Sequence, residues 1–523
     1  MTKQILSEYQ KAAILDDSRA CLVNANVGSG KTTVLTAKIL YLHEQKKVDY
    51  RNMAVLTFTN KAAEEIKSRL AENSSELEEQ MQYFGTFHSV ALKLLKQMLP
   101  ESRGAAQDIF DQNFTVIEPE EELALAEELI EKYQFKIKYP NRLKKRLEQV
   151  DKQSKCHDDI GKLRECLKAE KYRRNQMSFQ DLINYVNVCL RVKSAKSPQI
   201  QWVIIDEVQD SDASQLEMID CLMGKDTRLF AVGDPNQAIY SFRSGDINVF
   251  YKLKAKYDAK ELSLPVNYRS SGYILKAAAR FQQRGAKLSG VKEEGSKIII
   301  RRHYNQFQEA CYLADRFQQM HAQGINYREI AVFYRLAEQS CIFEDVFAKN
   351  DIPFEVSGKD NAQSQSEDAV KLMTLHASKG LEFNNVFIIG VNDGLIPLRT
   401  KTYEGAEEEG RLFFVGMTRA KQSLEISYYI NPDYYGAVQG PGKYIRMLPK
   451  DMVQYDEVQE PPKEVHLQQL KRKVQKETVT QRTVKHEKYG NGVVIKEDEN
   501  MIAVDFEGYG IKEFMKAFVD RFW

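Results

Sequence analysis

Val23-Asn24-Ala25-Asn26-Val27-Gly28-Ser29-Gly30-Lys31-Thr32 joins an apolar run to a helix-forming one. Cys21-Leu22-Val23 reads as a short buried strand, and Lys31-Thr32-Thr33-Val34-Leu35 opens a helix. Strand, glycine-bearing loop and helix, in that order, are what a phosphate-binding loop requires. Gly28 and Gly30 let the backbone curl so that successive N–H groups face one concavity, and the helix N-terminus adds partial positive charge. In such a loop Lys31 reaches the β- and γ-phosphates of a nucleotide, and the Thr32 hydroxyl completes a Mg2+ shell. Ala25 stands where the strict pattern has its first glycine. An ordinary glycine-rich turn reads the same way in isolation, so the rest of the chain decides.

The second decisive stretch is Val203-Ile204-Ile205-Asp206-Glu207-Val208-Gln209-Asp210. It is an apolar strand delivering carboxylates at its C-terminal edge, where ligands of open α/β sheets bind. Asp206 is suited to holding magnesium, and Glu207 to orienting and deprotonating an attacking water. A solvated acidic turn is the rival reading, and a phosphate loop in the same chain weighs against it.

The composition is that of a globular protein, with 43% hydrophobic and 28% charged residues. At 523 residues it should hold several domains, because single cores stop growing near roughly 250–300 residues. A formal net charge of +1 excludes a globally basic nucleic-acid binder, so any such surface is a local patch balanced by acid elsewhere. No apolar run approaches a membrane span, and Met1-Thr2-Lys3-Gln4 starts no signal peptide. Seven scattered cysteines without C-x-x-C spacing argue against a disulfide or zinc framework and point to a cytoplasmic protein.

The order of strands and helices predicts an α/β fold with interruptions. Residues 1–89 and 179–261 form a first α/β domain, and 90–178, helical and strongly charged, an inserted subdomain. A second α/β domain covers 262–448, with a polar loop at 358–367. Residues 449–483, with Pro461-Pro462 and mixed charge, read as a linker. Residues 484–523 are β-rich and suit a small barrel.

Read as a series, the motifs resemble the UvrD/Rep/PcrA branch of superfamily 1 helicases nearly end to end. Leu6-Ser7-Glu8-Tyr9-Gln10 resembles the adenine-reading glutamine motif, and Ala25 to Thr33 the first helicase motif. Thr57-Phe58-Thr59-Asn60-Lys61 and Gly85-Thr86-Phe87-His88-Ser89 match strand-contacting motifs. Asp206 to Asp210, Val232 to Arg243 and Leu264 to Ser270 match the second, third and fourth motifs. Thr374 to Phe383 and Val415 to Ala420 match the fifth and sixth.

The resemblance implies two RecA-like domains and ATP with Mg2+ in the cleft between them. It implies Gln10 and Tyr268 on the adenine, Glu382 on the ribose, and Gln237 as a sensor of the γ-phosphate. Arg269 and Arg419 resemble arginine fingers, which stabilise charge developing on the transferred phosphoryl group. Residues Ala25, Asn26, Val27, Gly28, Ser29, Gly30, Lys31, Thr32 and Thr33 would cradle the nucleotide. On the nucleic-acid side, Phe58, Tyr240 and Phe242 would stack on bases, with Thr59, Asn60, Thr86, His88, His376 and Lys379 along the backbone. The partner class is single-stranded DNA and its junctions with duplex.

Some residues depart from the family. Thr33 replaces an arginine that helps hold adenine, and Phe242 replaces a tryptophan. The loop at 358–367 stands where relatives insert a mobile helical subdomain, 2B. The run Lys136, Lys138, Arg142, Lys144, Lys145 and Arg146 suits duplex contact or a solvated helix face equally. Val484 to Val494 resembles the Tudor-like module that docks on RNA polymerase in PcrA and UvrD, against which stands a DNA- or self-docking barrel. Two functions are in view. One is an ATP-dependent DNA helicase or translocase moving 3′ to 5′. The other is a DNA-dependent ATPase switch that recruits a nuclease or polymerase without robust unwinding. An RNA helicase is a weaker third, since the motif wording follows the DNA-acting branch.

Overall fold

In the computed structural model the chain forms two compact units, residues 1–456 and 457–523. The structure describes residues 6–71, 75–100, 110–148, 158–192, 198–239, 248–282, 288–358, 367–432, 434, 436–456, 483–486, 490–497, 501–506 and 510–515.

The chain enters the first sheet through β1 (Ala20–Ala25), β2 (Met53–Thr57) and β3 (Phe84–Thr86). It leaves through a helical insertion carrying the two-residue strands β4 (Thr115–Val116) and β5 (Gln176–Met177), which pair with each other. It returns through β6 (Trp202–Ile205), β7 (Arg228–Gly233) and β8 (Lys260–Leu264). The order β3-β2-β6-β7-β1-β8 is parallel throughout. Every residue of β1, β2 and β6 is buried, which explains why these strands read as continuous apolar runs rather than alternating ones. One core packs each face of this sheet.

Two boundaries read from composition fall inside elements. The cut at 89/90 divides the helix Phe87–Met98, whose apolar stripe packs on the first sheet together with the helix Phe179–Val192. The cut at 261/262 divides β8, which pairs with β1 from Cys21–Lys260 to Ala25–Leu264. The insertion has a separate small core around Leu125, Leu129, Leu143, Leu163 and Leu167.

Beyond β8, the two-residue strands β9 (Val266–Asn267) and β10 (Ser289–Gly290) pair with each other. The second sheet follows: β11 (Ile298–His303), β12 (Ile330–Tyr334), β13 (Phe354–Val356), β14 (Val370–Thr374), β15 (Phe383–Ile388), β16 (Ala420–Tyr429) and β17 (Val453–Asp456). Its order, β13-β14-β12-β15-β16-β11-β17, is again all parallel. β17 lies within the stretch read as linker. Only Val453 of it is buried, so its polar composition concealed an edge strand.

Val27 of the phosphate loop and Ile239 after β7 pack into the second domain's core beside Ile274, Ala278 and Phe413. The two sheets therefore share apolar packing. The loop 359–366 falls outside the described residues, as does 457–482. The second unit comprises β18 (Thr483–His486), β19 (Gly490–Glu497), β20 (Met501–Phe506) and β21 (Gly510–Met515), an antiparallel meander. Among the described residues these strands pair in the order β18-β19-β20-β21. No helix among the described residues is long and apolar enough to cross a membrane.

Candidate nucleotide and nucleic-acid site

β1 ends at buried Ala25, and the helix Lys31–Glu44 begins after Gly30. Gly28 and Gly30 have φ of 64° and 81°, the left-handed region that favours glycine. A Cβ on Gly28 would lie 2.5 Å from Asn267 Nδ2 and 2.8 Å from Arg269 Cβ. The glycine is thus required by the segment that lies over it. Asn267 donates from Nδ2 to Val27 O at 2.8 Å, and the Tyr268 N–H donates to Gly28 O at 2.8 Å. The Asn26 N–H donates to Leu264 O at 3.1 Å. Ala25 costs nothing at its position, since it is the last strand residue and its methyl faces the core.

Gln10 is buried at the start of the helix Glu8–Leu15. Its Oε1 accepts from the Ser7 N–H at 3.0 Å, and its Nε2 donates to Ser29 O at 3.0 Å. The glutamine motif is thereby fastened to the phosphate loop. Thr32 and Thr33 are half-buried on the first helical turn, and Tyr268, whose N–H meets Gly28 O, is exposed.

Lys31 Nζ lies 2.9 Å from Glu207 Oε1. Glu207 has φ 49°, a left-handed turn that swings its carboxylate off the end of β6, and its N–H donates to Asp206 Oδ1 at 3.0 Å. Burial and the neighbouring Glu207 charge hold Asp206 above the usual carboxylate range. Burial would raise Glu207 too, but the Lys31 and Lys379 ammoniums outweigh it and keep it ionised. A cation at Asp206 would relieve that strain. No cluster of three or more His, Cys, Asp or Glu side chains suited to a metal occurs among the described residues. A Mg2+ held by Asp206 and Thr32 would thus take its remaining ligands from phosphate and water, as Mg2+ commonly does.

The second domain closes this site with two arginines. Arg419 is buried and donates from Nη2 to Gln237 Oε1 at 3.0 Å, while Nε donates to Val415 O at 3.0 Å. Gln237 Nε2 in turn donates to Asp234 Oδ2 at 2.7 Å. Arg269 Nε donates to Glu382 Oε2 at 2.6 Å, and Lys421 Nζ holds Glu382 Oε1 at 2.5 Å. A phosphate loop, two acids and a buried arginine from a second parallel-sheet domain meet in one cleft. That arrangement suits hydrolysis of a nucleoside triphosphate.

Comparison with known proteins agrees. The UvrD/REP helicase N-terminal domain matches residues 6–258, and the UvrD-like helicase C-terminal domain matches 262–361 and 356–431. The chain belongs to the UvrD/REP helicase family. A relative named ATP-dependent DNA helicase Rep, from Buchnera aphidicola of Acyrthosiphon pisum, is 29% identical over 450 residues, 82% of this chain and 69% of the relative. PcrA of Staphylococcus epidermidis is 30% identical over 68% of this chain, which spans about half (51%) of that relative's length. A probable DNA helicase of Mycoplasma pneumoniae is 27% identical over 86% of this chain and 88% of its own.

On the nucleic-acid side of this UvrD/REP family chain, Phe58, Thr86 and His88 line one cleft of about 240 Å3 with Thr57, Asp210, Asp212 and Gln215. Thr86 Oγ1 caps the helix Phe87–Met98 by accepting from the Ser89 N–H, and Thr59 Oγ1 accepts from the Ala62 N–H. Both hydroxyls therefore shape the backbone around them, and Thr86 also lines the cleft. His88 packs edge-on against Phe179 at 5.3 Å, and burial holds its imidazole below the usual histidine range. Asn60 is exposed on the helix that follows, and His376 is half-buried on the loop after β14. Tyr240 and Phe242 lie outside the described residues.

Lys379, expected along a nucleic-acid backbone, is held between the domains here. Its side chain is 7% exposed, its Nζ pairs with Asp210 Oδ2, and it donates to Gln237 O at 2.6 Å. It is a contact between domains, because a buried carboxylate competes for the ammonium better than solvent does. Sequence reasoning also gave no role to Gln209, Asp210 or Asn267, although each sits inside a quoted motif. Their partners lie far away in the chain, so no spacing rule could have identified them.

Proposed function

We propose that this chain is an ATP-dependent DNA helicase that hydrolyses ATP between its two α/β domains and uses the opening and closing of that cleft to move 3′ to 5′ along single-stranded DNA. The contact that carries this reading is Arg419 Nη2 to Gln237 Oε1 at 3.0 Å, beside the Lys31–Glu207 pair. A charged group from one domain meets the γ-phosphate sensor of the other, so nucleotide state and domain separation are linked by one hydrogen bond. Lys31 and Thr32 would hold the phosphates and Mg2+, and Gln10 with Tyr268 the adenine. Asp206 would hold the metal, and Glu207 would take the proton of the attacking water. Bound Mg2+ supplies charge neutralisation on the phosphates.

Names of the relatives support the DNA-acting, ATP-dependent reading over a non-unwinding adaptor. Translocation without the 2B insertion, and a protein partner for residues 484–523, RNA polymerase included, belong to this proposal as well. The test is ATP turnover with and without single-stranded DNA, alongside strand separation on duplexes carrying a 3′ or a 5′ tail. Turnover stimulated by DNA, with displacement from the 3′ tail, is expected. Equal displacement from both tails removes the direction. Lys31→Ala should abolish turnover while leaving single-strand binding largely intact, and surviving turnover would overturn the assignment.

A further inference from the structure

We propose that Gln209 is a positioning residue that ties the Glu207 carboxylate to the contact between the two domains, so that nucleic acid seated on the second domain is felt at the hydrolytic acid. This rests on the reading of Asp206 and Glu207 as the hydrolytic pair. Gln209 is buried, at 4% exposure, and its amide meets three residues at once. Nε2 lies 2.5 Å from Glu207 Oε2 and 3.3 Å from Asp210 Oδ2, and Oε1 accepts from the Asp234 N–H at 3.0 Å. Asp210 Oδ2 is the same atom that receives Lys379 from the second domain. Asp234 is the residue that receives Gln237 Nε2, and Gln237 receives Arg419. One neutral side chain therefore touches both routes by which the second domain reaches the first.

The chemistry requires an amide here. Two N–H groups on one nitrogen can serve two carboxylates together, whereas an acid would add a fourth carboxyl group to Glu207, Asp210 and Asp234. The approach is tight. A Cβ on Gly233 would lie 2.6 Å from Gln209 Oε1, so the glycine leaves room for the amide to reach the Asp234 N–H. Asp210 Oδ1 has no hydrogen-bond partner among the described residues, so this carboxylate depends on Lys379 and Gln209. Lys379 sits three residues from His376, on the loop that follows β14, at the edge read as facing the strand. When that loop moves and Lys379 shifts, Asp210 draws the Gln209 N–H more strongly. Glu207 then loses a donor and is freed to take the proton of a water.

The test is steady-state ATP turnover of Gln209→Met, which keeps length and volume but removes all three hydrogen bonds of the amide, with and without single-stranded DNA. The ratio of stimulated to basal kcat should fall about tenfold or more, with KM for ATP within about threefold of the wild type. A merely structural role would lower basal and stimulated rates together and leave the ratio unchanged. Asp210→Asn should give the same loss, and the double variant no further loss, since both act through one relay. A folded Gln209→Met that keeps the wild-type ratio, or a double variant whose loss is the product of the two, overturns the relay. If Gln209→Met does not fold, Asp210→Asn decides alone: a lost ratio supports the relay and a retained one overturns it. Wild-type protein showing no stimulation by DNA would instead overturn the proposed function, a result distinct from stimulation that survives in the variants.

Discussion

Arg419, just after the helix Tyr403–Met417 of the second domain, donates from Nη2 to Oε1 of Gln237 in the first, 3.0 Å away. Neither residue is exposed, and the pair is anchored on both sides, by Val415 O on one and Asp234 on the other. Arg419→Ala should therefore cut kcat by roughly three orders of magnitude, the loss typical of an arginine that stabilises phosphoryl charge. Nucleotide binding, followed with a fluorescent analogue, should change far less. A kcat within tenfold of the wild type would show that Arg419 is a structural residue.

Gly28 provides a test of the domain contact itself. Its φ of 64° and the 2.5 Å approach of Asn267 Nδ2 leave no room for a methyl group. Gly28→Ala should cost about 1–3 kcal/mol from backbone strain alone, and should lower ATP affinity because the loop and the 265–269 segment are forced apart. Thermal melting and nucleotide titration check both effects. Ala25→Gly, with Ala25 at the end of a buried strand, should leave nucleotide affinity within about twofold.

Phe58 shares its cleft with Thr86 and His88. If bases stack there, Phe58→Ala should weaken single-strand binding by about 1–3 kcal/mol with little dependence on sequence. Fluorescence anisotropy with two unrelated oligonucleotides is the measurement. A loss confined to one sequence would argue against a stacking platform.

Glu309 carries the clearest pH signature away from the site. It is buried, accepts from Tyr429 Oη at 2.5 Å and from Ser427 Oγ, and burial pushes its carboxyl up to about 8. The folded protein thus holds a proton that the unfolded chain, with a carboxyl near the usual value, releases. The associated stability is fully present below about pH 4.5 and is lost as pH rises through about 8. His303, whose Nε2 is 4.0 Å away, is held down to about 3 by burial and by Arg301, so its contribution runs the opposite way. That contribution is present above the usual histidine value, about 6.5, and is lost as pH falls through about 3. Between about pH 6.5 and 8 the His303 contribution is constant, and the Glu309 loss adds to that of Asp206, which burial also holds above the usual carboxylate range. Glu309→Gln should flatten the fall in melting temperature across that window, and an unchanged slope would place the protonation elsewhere.

Much of the fold was legible because parallel strands buried on both faces leave continuous apolar runs. Trp202–Ile205 and Met53–Thr57 are examples. Edge elements were not legible. β17 has a single buried residue, and β8 mixes lysine, glutamate and serine, so composition assigned the first to a linker and ran a domain boundary through the second. In the site, Lys31, Asp206, Glu207, Gln237, Arg269 and Arg419 were legible as types at motif positions. Their present partners were not: Arg269 is occupied by Glu382, and Lys379 faces inward to Asp210.

From the amino-acid order alone came the chemistry available: a glycine loop before a helix, two acids after an apolar strand, arginines beyond a second set of strands. These are local properties, set by φ preference, strand alternation and helix starts, and a chain displays them without being folded. Tertiary structure decided which groups meet. Asn267 closes over Val27, Gln209 spans Glu207 and Asp210, and Lys379 crosses to the first domain. Each such pairing depends on where two sheets come to rest against each other. That is decided by shared apolar packing, Val27 and Ile239 in the second core, and a buried charge then takes whichever partner the packing brings within reach.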